Sequence, residues 1–200
     1  MIRRLFQLNT LYILIAIIAV GILLIPRFIE GFHLQSKGIS YVTSNMNDFY
    51  HKTFPLEGKY TVEINVDDLK SNEGKVLFED SENQIHVTKV TRSDSGYEVI
   101  FSSNGSYDAD GATLVSGLEH ARSNNSLTSH FKAKAEAMYN GKTFEGSPSG
   151  SSGFNNQDGD QFGFHLPIPK HTKKINGKEE PTIKVMVTHL QVNIWARKPK

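Results

Sequence analysis

LYILIAIIAVGILLI, residues Leu11–Ile25, carries no charged or strongly polar side chain and dominates the sequence. As an α-helix this run would be about 22 Å long. Extending it back to Leu5 gives about 31 Å, which matches a bilayer hydrocarbon core of roughly 30 Å. We therefore predict a single transmembrane helix, with residues 1–30 forming the N-terminus and the anchor, and the membrane contacted through Leu11–Ile25.

The residues around the stretch favour an anchor that is retained over a signal peptide that is removed. A cleavable signal needs small residues at its cleavage site, and Leu23–Phe28 offers none. A buried globular helix is disfavoured because little of the remaining chain is apolar enough to surround it. Arg3 and Arg4 precede the stretch and only Arg27 follows it closely. The positive-inside rule then places the N-terminus in the cytoplasm and the C-terminal domain outside it.

Composition limits the chemistry that the rest of the chain can perform. The absence of cysteine excludes disulfides, thiol catalysis and Cys-ligated metals, and it suits an exported bacterial protein. Residues 31–166 have a net charge of −7, whereas residues 167–200 have a net charge of +6. A nucleic-acid binder needs a sustained basic surface, so no nucleic-acid partner is expected. The basic segment is expected to face the acidic part of the chain or, alternatively, anionic lipid or wall polymer.

Residues 31–57 are predicted to contain an amphipathic juxtamembrane helix over Ser36–Tyr50. Its apolar residues recur at helical spacing and are Ile39, Val42, Met46, Phe49 and Tyr50. They could pack on the chain's own sheet or contact a protein partner. We take Ile39, Val42, Met46 and Phe49 as candidate partner contacts.

Residues 58–200 are predicted to form a mainly β, extracytoplasmic domain. Alternating apolar residues predict a meander of about four strands over residues 58–102 and further strands at 131–139, 162–168 and 183–194. The last strand shows a phase slip at His189, which suggests a β-bulge. Its apolar character predicts a central position in a sheet. The fold expected is an antiparallel β-sandwich or, alternatively, a curved sheet packed on the juxtamembrane helix.

Three segments between these strands have other predicted structures. Residues 112–122 are predicted to be a short helix after Asp110, with a strand as the alternative. Asn140-Gly141 is a hairpin signal. Residues 145–161 are rich in Gly, Ser, Asn and Asp and are predicted to be a flexible or binding loop, in which Phe154 is a candidate partner contact. Lys170–Glu180 is predicted to be a basic turn.

No motif in the sequence identifies a catalytic, cofactor or metal site. The eight His residues show no metal-binding helical spacing. Ser106, Asp108 and Asp110 begin a loop like that of an EF-hand, but Gly117 stands where a bidentate Glu is required. Several Ser, His and Asp residues are present, yet the sequence does not group them. We therefore predict no catalytic residue, cofactor or metal.

These observations lead to a membrane-anchored, extracytoplasmic binding or assembly protein of the bacterial envelope, non-enzymatic, with a protein partner in the membrane or envelope. A cell-envelope hydrolase with an unrecognised site is one alternative.

The layout of the first 50 residues supports another alternative. The hydrophobic helix, Pro26 near its end, the amphipathic continuation and the β domain resemble type IV pilins and pseudopilins. The resemblance implies a subunit that is processed and assembled into a filament. That family carries a Gly before the processing site and a Glu five residues into the mature helix. With Pro26 aligned, Arg4 and Asn9 stand at these two places in this chain.

Overall fold

The computed structural model describes residues 2–45, 47–123, 126–156, 158–169 and 182–199. Within these residues two helices precede a series of strands. The helices are α1 (Ile2–Lys37) and α2 (Ile39–Ser44). The strands are β1 (Phe49–Leu56), β2 (Tyr60–Asn65), β3 (Val76–Glu79), β4 (Gln84–Ser93), β5 (Gly96–Asn104), β6 (Ser106–Tyr107), β7 (Gly111–Ser116), β8 (Leu118–Ser123), β9 (Ser126–Phe131), β10 (Lys134–Tyr139), β11 (Lys142–Glu145), β12 (Ser147–Asn156), β13 (Gly159–Leu166), β14 (Thr182–Thr188) and β15 (Leu190–Arg197).

Helix α1 contains the apolar stretch and confirms the predicted N-terminal apolar helix. Its Thr10–Lys37 part is, within the described residues, the one helix long and apolar enough to cross a membrane. The side chains of Leu11–Ile25 are almost all exposed, because none of the other residues that the structure describes covers them. A helix with apolar residues on every side and no protein around it is typical of a membrane span or a signal sequence.

The strands form three antiparallel sheets and one separate hairpin. Sheet A has the order β1-β15-β7-β6, sheet B the order β11-β10-β14-β2, and sheet C the order β12-β13-β5-β4-β3. Among the strands that the structure describes, β8 and β9 pair only with each other. Every pairing among the described strands is antiparallel, so the mainly β prediction is confirmed.

Within the described residues, two clusters of buried apolar side chains pack the sheets and the helices together. The main core combines residues of sheet B, such as Val62 and Val185, with residues of sheet C, such as Val99 and Phe162. This is the layered burial that a β-sandwich requires. The small core joins the helices to sheet A and consists of Leu34, Ile39, Val42, Phe49, Ala112, Leu114 and Trp195.

Helix α1 continues past its apolar stretch and docks on the small core. Leu34 is buried there, and the His33 ring stacks on Tyr41 of α2 with centroids 5.6 Å apart. Glu30 accepts a hydrogen bond from the Arg197 guanidinium at the end of β15. The helix is therefore joined to the β-rich part by side-chain contacts as well as by the chain itself.

The predicted juxtamembrane helix over Ser36–Tyr50 is wrong in extent. Gly38 has φ of 56°, a left-handed conformation that glycine tolerates, and it separates α1 from the six-residue α2. Phe49 then begins β1, which pairs with β15 from Phe49↔Arg197 to Leu56↔Leu190. Ile39 and Val42 do lie on one helical face, but Phe49 reaches the same core from a strand.

The prediction of one long strand at residues 183–194 is also corrected. Strand β14 lies between β10 and β2 in sheet B, whereas β15 lies between β1 and β7 in sheet A. His189 joins them with φ of 60°. The phase slip therefore marks a corner where the chain passes from one sheet to another, and the predicted β-bulge is wrong. The predicted central position is confirmed for both strands.

Other segments also differ from the predictions. Residues 112–122 form β7 and β8, so the helix is wrong and the strand alternative is correct. The predicted strand 131–139 is broken at residues 132–133, whose backbone N–H groups both donate to the Gly117 carbonyl. Residues 58–102 do form four strands, but β2 belongs to sheet B while β3–β5 form a meander in sheet C. Lys170–Glu180 lies outside the described residues.

Residues 145–161 are not a loop throughout. Most of the segment forms β12, the edge strand of sheet C, which pairs with β13. An edge strand packs against only one neighbour in its sheet, so a Gly- and Ser-rich sequence is tolerated there. Ser40 fixes the far end of β12, because its Oγ donates to the Phe154 carbonyl at 3.0 Å.

Candidate functional site

A buried polar network lies where the β8–β9 hairpin meets sheet C. Its members are Ser116 at the end of β7, His120 on β8, Ser129 on β9 and Asp160 on β13. Ser116, His120 and Asp160 have no solvent exposure, whereas Ser129 is exposed. We refer to these four residues as the polar network.

Asp160 is the centre of the network, because its carboxylate accepts hydrogen bonds from both His120 and Ser116. His120 Nε2 lies 2.7 Å from Asp160 Oδ2. The Ser116 hydroxyl lies 2.9 Å from Oδ1 and 2.8 Å from Oδ2. At the other end, Ser129 Oγ lies 2.9 Å from His120 Nδ1. A buried carboxylate needs such partners because desolvation alone would be costly.

The backbone around Ser116 explains why these side chains meet. Between β7 and β8 the chain turns from sheet A toward the hairpin at Gly117, where an added Cβ would lie 2.6 Å from Phe162 Cδ2. Only glycine fits this approach. Asn193 Oδ1 accepts the His120 N–H at 2.9 Å, and Asn193 Nδ2 donates to the Leu118 carbonyl at 3.0 Å. Asn193 thereby holds the start of β8 on sheet A.

Aromatic rings fix the orientation of the His120 imidazole. The Phe154 ring lies 4.3 Å from it, centroid to centroid, and the Trp195 ring lies 6.1 Å from it. Phe154 and Trp195 also meet edge to face at 5.7 Å. Such contacts limit rotation of the imidazole, so both of its nitrogens keep their hydrogen-bond partners.

An open cavity of about 430 Å³ borders the network on the side of β1. His120 and Ala121 of β8 line one part of it, and Trp195 lines another. The remaining lining residues are Phe49, Tyr50, His51, Lys52, Thr53, Glu119, Leu127 and Lys198. The cavity therefore combines aromatic surface with two lysines, a glutamate and two histidines, which suits a small polar or anionic ligand.

His51 is the cavity residue with a perturbed titration. Burial lowers the pKa of His51 below its ordinary value of 6.5, the nearby His120 lowers it further, and Glu119 opposes the change. The ring stacks on Trp195 with centroids 4.8 Å apart. Burial disfavours the charged imidazolium, so the folded chain favours neutral His51.

We expect His51→Gln to reduce the loss of stability on acidification. Between the ordinary pKa of 6.5 and the lower pKa of His51 in the folded chain, the unfolded chain binds more protons. Folding stability therefore falls as pH drops through this range, and Gln removes this contribution. Urea unfolding at pH 7.5 and pH 5.5 measures the effect. An equal loss in the wild type and the variant would contradict it.

The sequence-predicted contact residues fall mostly within the chain's own core. Ile39, Val42 and Phe49 are buried in the small core, so in this conformation a partner reaches them only if the small core opens. Phe154 is half-buried, packs on the same core and covers His120. Met46 lies outside the described residues.

The sequence shows several Ser, His and Asp residues but does not indicate that Ser116, His120, Ser129 and Asp160 come together. Asp160 is 44 residues from Ser116 and 40 from His120, and no local spacing signals that contact. One signal was available: a charged residue at the start of a strand as apolar as β13 needs a buried partner.

The side chains of the EF-hand-like loop, which the sequence does not assign to a metal, form a local turn in the structure. Asp108 Oδ1 accepts the backbone N–H groups of Asp110 and Gly111 at 2.8 and 2.9 Å. This is a local turn. Among the residues that the structure describes, no group of three or more His, Asp or Glu side chains is placed to hold a metal ion.

Comparison with known proteins gives no independent guide to the function. No family model, curated protein or solved structure matches this chain. The function is therefore inferred from the geometry of helix α1, the small core and the polar network.

Proposed function

We propose that this chain is a single-pass membrane protein whose β-rich domain lies outside the cytoplasm of a bacterium and binds or assembles with a protein of the membrane or envelope. The observation that carries the proposal is the continuity of α1, which runs without a break from the apolar stretch to the small core. No reaction is required for this role.

The length of the exposed apolar surface on α1 supports a membrane span. The surface continues past Leu11–Ile25 to Phe28 and Phe32, which are 80% and 63% exposed. From Leu11 to Phe32 the helix is about 33 Å long, close to the roughly 30 Å of a hydrocarbon core. Leu34 follows about 3 Å further along and is already buried in the domain. The domain would therefore rest against the membrane surface without a flexible linker.

The two sides of α1 near this level differ in polarity. Arg27, Glu30 and Leu34 line a cavity shared with Asp110 and Arg197 of the β-rich part. Phe28, Ile29 and Phe32 are 80%, 50% and 63% exposed on the helix surface. An apolar surface beside a docked domain supports contact with a partner or with lipid at this level.

Site-specific photocrosslinking in intact membranes tests this proposal. A benzophenone amino acid at Phe32 is expected to give one discrete protein adduct. The same amino acid at Met138, which is 51% exposed on β10, serves as the control and is expected to give none. Lipid adducts alone at position 32 would contradict the binding role. A mature N-terminus after residue 25 would contradict the anchor itself.

A further inference from the structure

Ser129 differs from the other members of the polar network in its access to solvent. Ser116, His120 and Asp160 are fully buried, while Ser129 is exposed on β9. An exposed hydroxyl can bond to water and needs no protein partner. Here it nevertheless lies 2.9 Å from a buried imidazole nitrogen.

The hydrogen bonds along the network have one consistent direction. The carboxylate of Asp160 can only accept, so His120 Nε2 carries a hydrogen and donates it. In a neutral imidazole the other nitrogen, Nδ1, then has a free lone pair. The hydroxyl of Ser129 donates to that lone pair. The order Asp160, His120, Ser129 is that of an acceptor, a base and a nucleophile.

The imidazole is held in place without Ser129. Asp160 fixes Nε2, Phe154 covers one face at 4.3 Å, and Asn193 holds the backbone N–H of the same residue. Ser116 supplies a further hydrogen bond to Asp160. The base is therefore positioned from several directions, while the residue that carries the hydroxyl it can activate is exposed.

We infer that Ser129 is a nucleophile activated by His120, with Asp160 as the positioning residue, and that it reacts with carboxylic esters. This goes beyond the proposed binding role and departs from the expectation of a non-enzymatic domain. It does not depend on α1 or on a partner, because the network is built entirely from strands of the β-rich part.

The reaction consists of two acyl transfers. Ser129 Oγ forms a bond to the ester carbonyl carbon as its proton moves to His120 Nδ1. The carbon–oxygen bond to the alcohol then breaks, and the alcohol leaves with that proton, which gives acyl-Ser129. Water repeats the sequence with the same base and releases the carboxylic acid and free Ser129.

The cavity next to the proposed nucleophile indicates which esters fit. Its lining includes His120 and Leu127, which lies two residues before Ser129 on β9, but not Ser129 itself. Its volume of about 430 Å³ lies within the range of small-molecule sites. Lys52 and Lys198 line it with Glu119 as the one carboxylate, so its formal charge is positive when the histidines are neutral. Small esters with an acidic group are therefore the substrate class expected.

Labelling of the full chain in detergent micelles with a fluorophosphonate probe tests the inference. The wild type is expected to be labelled, with the adduct on Ser129 by peptide mass spectrometry. Ser129→Ala should lose the label, and His120→Gln should slow it roughly 100-fold, the effect of removing a general base. Ser151→Ala is the matched control, since Ser151 is exposed on β12 and lies outside the network, and it should label normally.

Fluorescence of Trp195 distinguishes a lost nucleophile from a lost fold, because its ring lies 6.1 Å from His120. Asp160→Asn is expected to lose labelling and Asp160→Glu to regain part of it, which a purely structural carboxylate would not do. Absence of label on Ser129 in a chain with native Trp195 emission would overturn the inference. Such a result would leave the crosslinking at Phe32 unaffected, so the two proposals fail independently.

Discussion

Replacing Asp160 with alanine is expected to lower the free energy of unfolding by about 3 to 5 kcal/mol, the usual cost of removing one partner of a buried ion pair or charge-assisted pair. The variant leaves His120 Nε2 and the Ser116 hydroxyl without their acceptor in a place with no solvent exposure. Each unsatisfied buried group costs about 1 to 3 kcal/mol. The change also removes the hydrogen bond between β13 and β8, while Phe131 of β9 stays packed on Phe162 and Phe164 of β13.

Asp158→Ala is the matched control for this prediction. Asp158 lies two residues away in the same turn but is exposed, and its carboxylate accepts one hydrogen bond from Tyr107 at 3.1 Å. We expect a loss below about 1 kcal/mol for such a surface contact. Urea unfolding of the full chain in micelles, followed by Trp195 fluorescence, compares the two. Equal losses would show that the network contributes little to stability.

Phe162→Ala is expected to lower the free energy of unfolding by about 3 to 5 kcal/mol, the typical cost of a Phe-to-Ala cavity in a core. Phe162 has no solvent exposure. Its ring lies 5.4 Å from Phe101, 6.0 Å from Phe164 and 6.2 Å from Phe131, centroid to centroid. Truncation therefore removes contacts on three sides at once.

Phe54→Ala is the control, because it makes the same Phe-to-Ala change at an exposed position. Phe54 is 48% exposed on β1, so its truncation should cost about 1 kcal/mol or less.

A second comparison uses Gly117, whose added Cβ would meet Phe162 at 2.6 Å. Gly117→Ala should destabilise the wild type but be tolerated in Phe162→Ala, because the ring is gone. Additive losses in the double variant would contradict this packing.

Much of the β structure was predictable because it depends on local alternation. Tyr60–Asn65 has apolar residues at every second position, and Gln84–Ser93 begins in the same way with Ile85 and Val87. A strand buries one face at that period. The apolar stretch of α1 was predictable for a similar reason, since composition alone sets it apart. Neither inference needs knowledge of distant residues.

The errors arose where distant contacts override local pattern. Ile39 and Val42 have helical spacing, and Phe49 continues it in sequence, but β15 recruits Phe49 into a strand. Strand β12 has a loop-like composition, and pairing with β13 makes it a strand. Tertiary pairing commonly overrides weak local preference in this way.

The polar network could not be predicted, because its members come together only through the arrangement of strands from different sheets. Ser116 and Asp160 belong to sheets A and C, and His120 and Ser129 belong to the hairpin between them. A single sequence does not specify which strands of different sheets become neighbours. The residue types were visible in the sequence, but their distances were not.

The corner at His189 also determines when the chain can fold during its synthesis. Strands β14 and β15 follow nearly all other elements in sequence, yet each occupies the middle of a sheet. Strands β1 and β2, made more than 100 residues earlier, have these late strands as their sheet partners. Sheet B therefore cannot be completed until residue 188 has been made, and sheet A cannot be completed until residue 197 has been made. Until then the early strands have unpaired edges, which are prone to aggregation and need protection by chaperones.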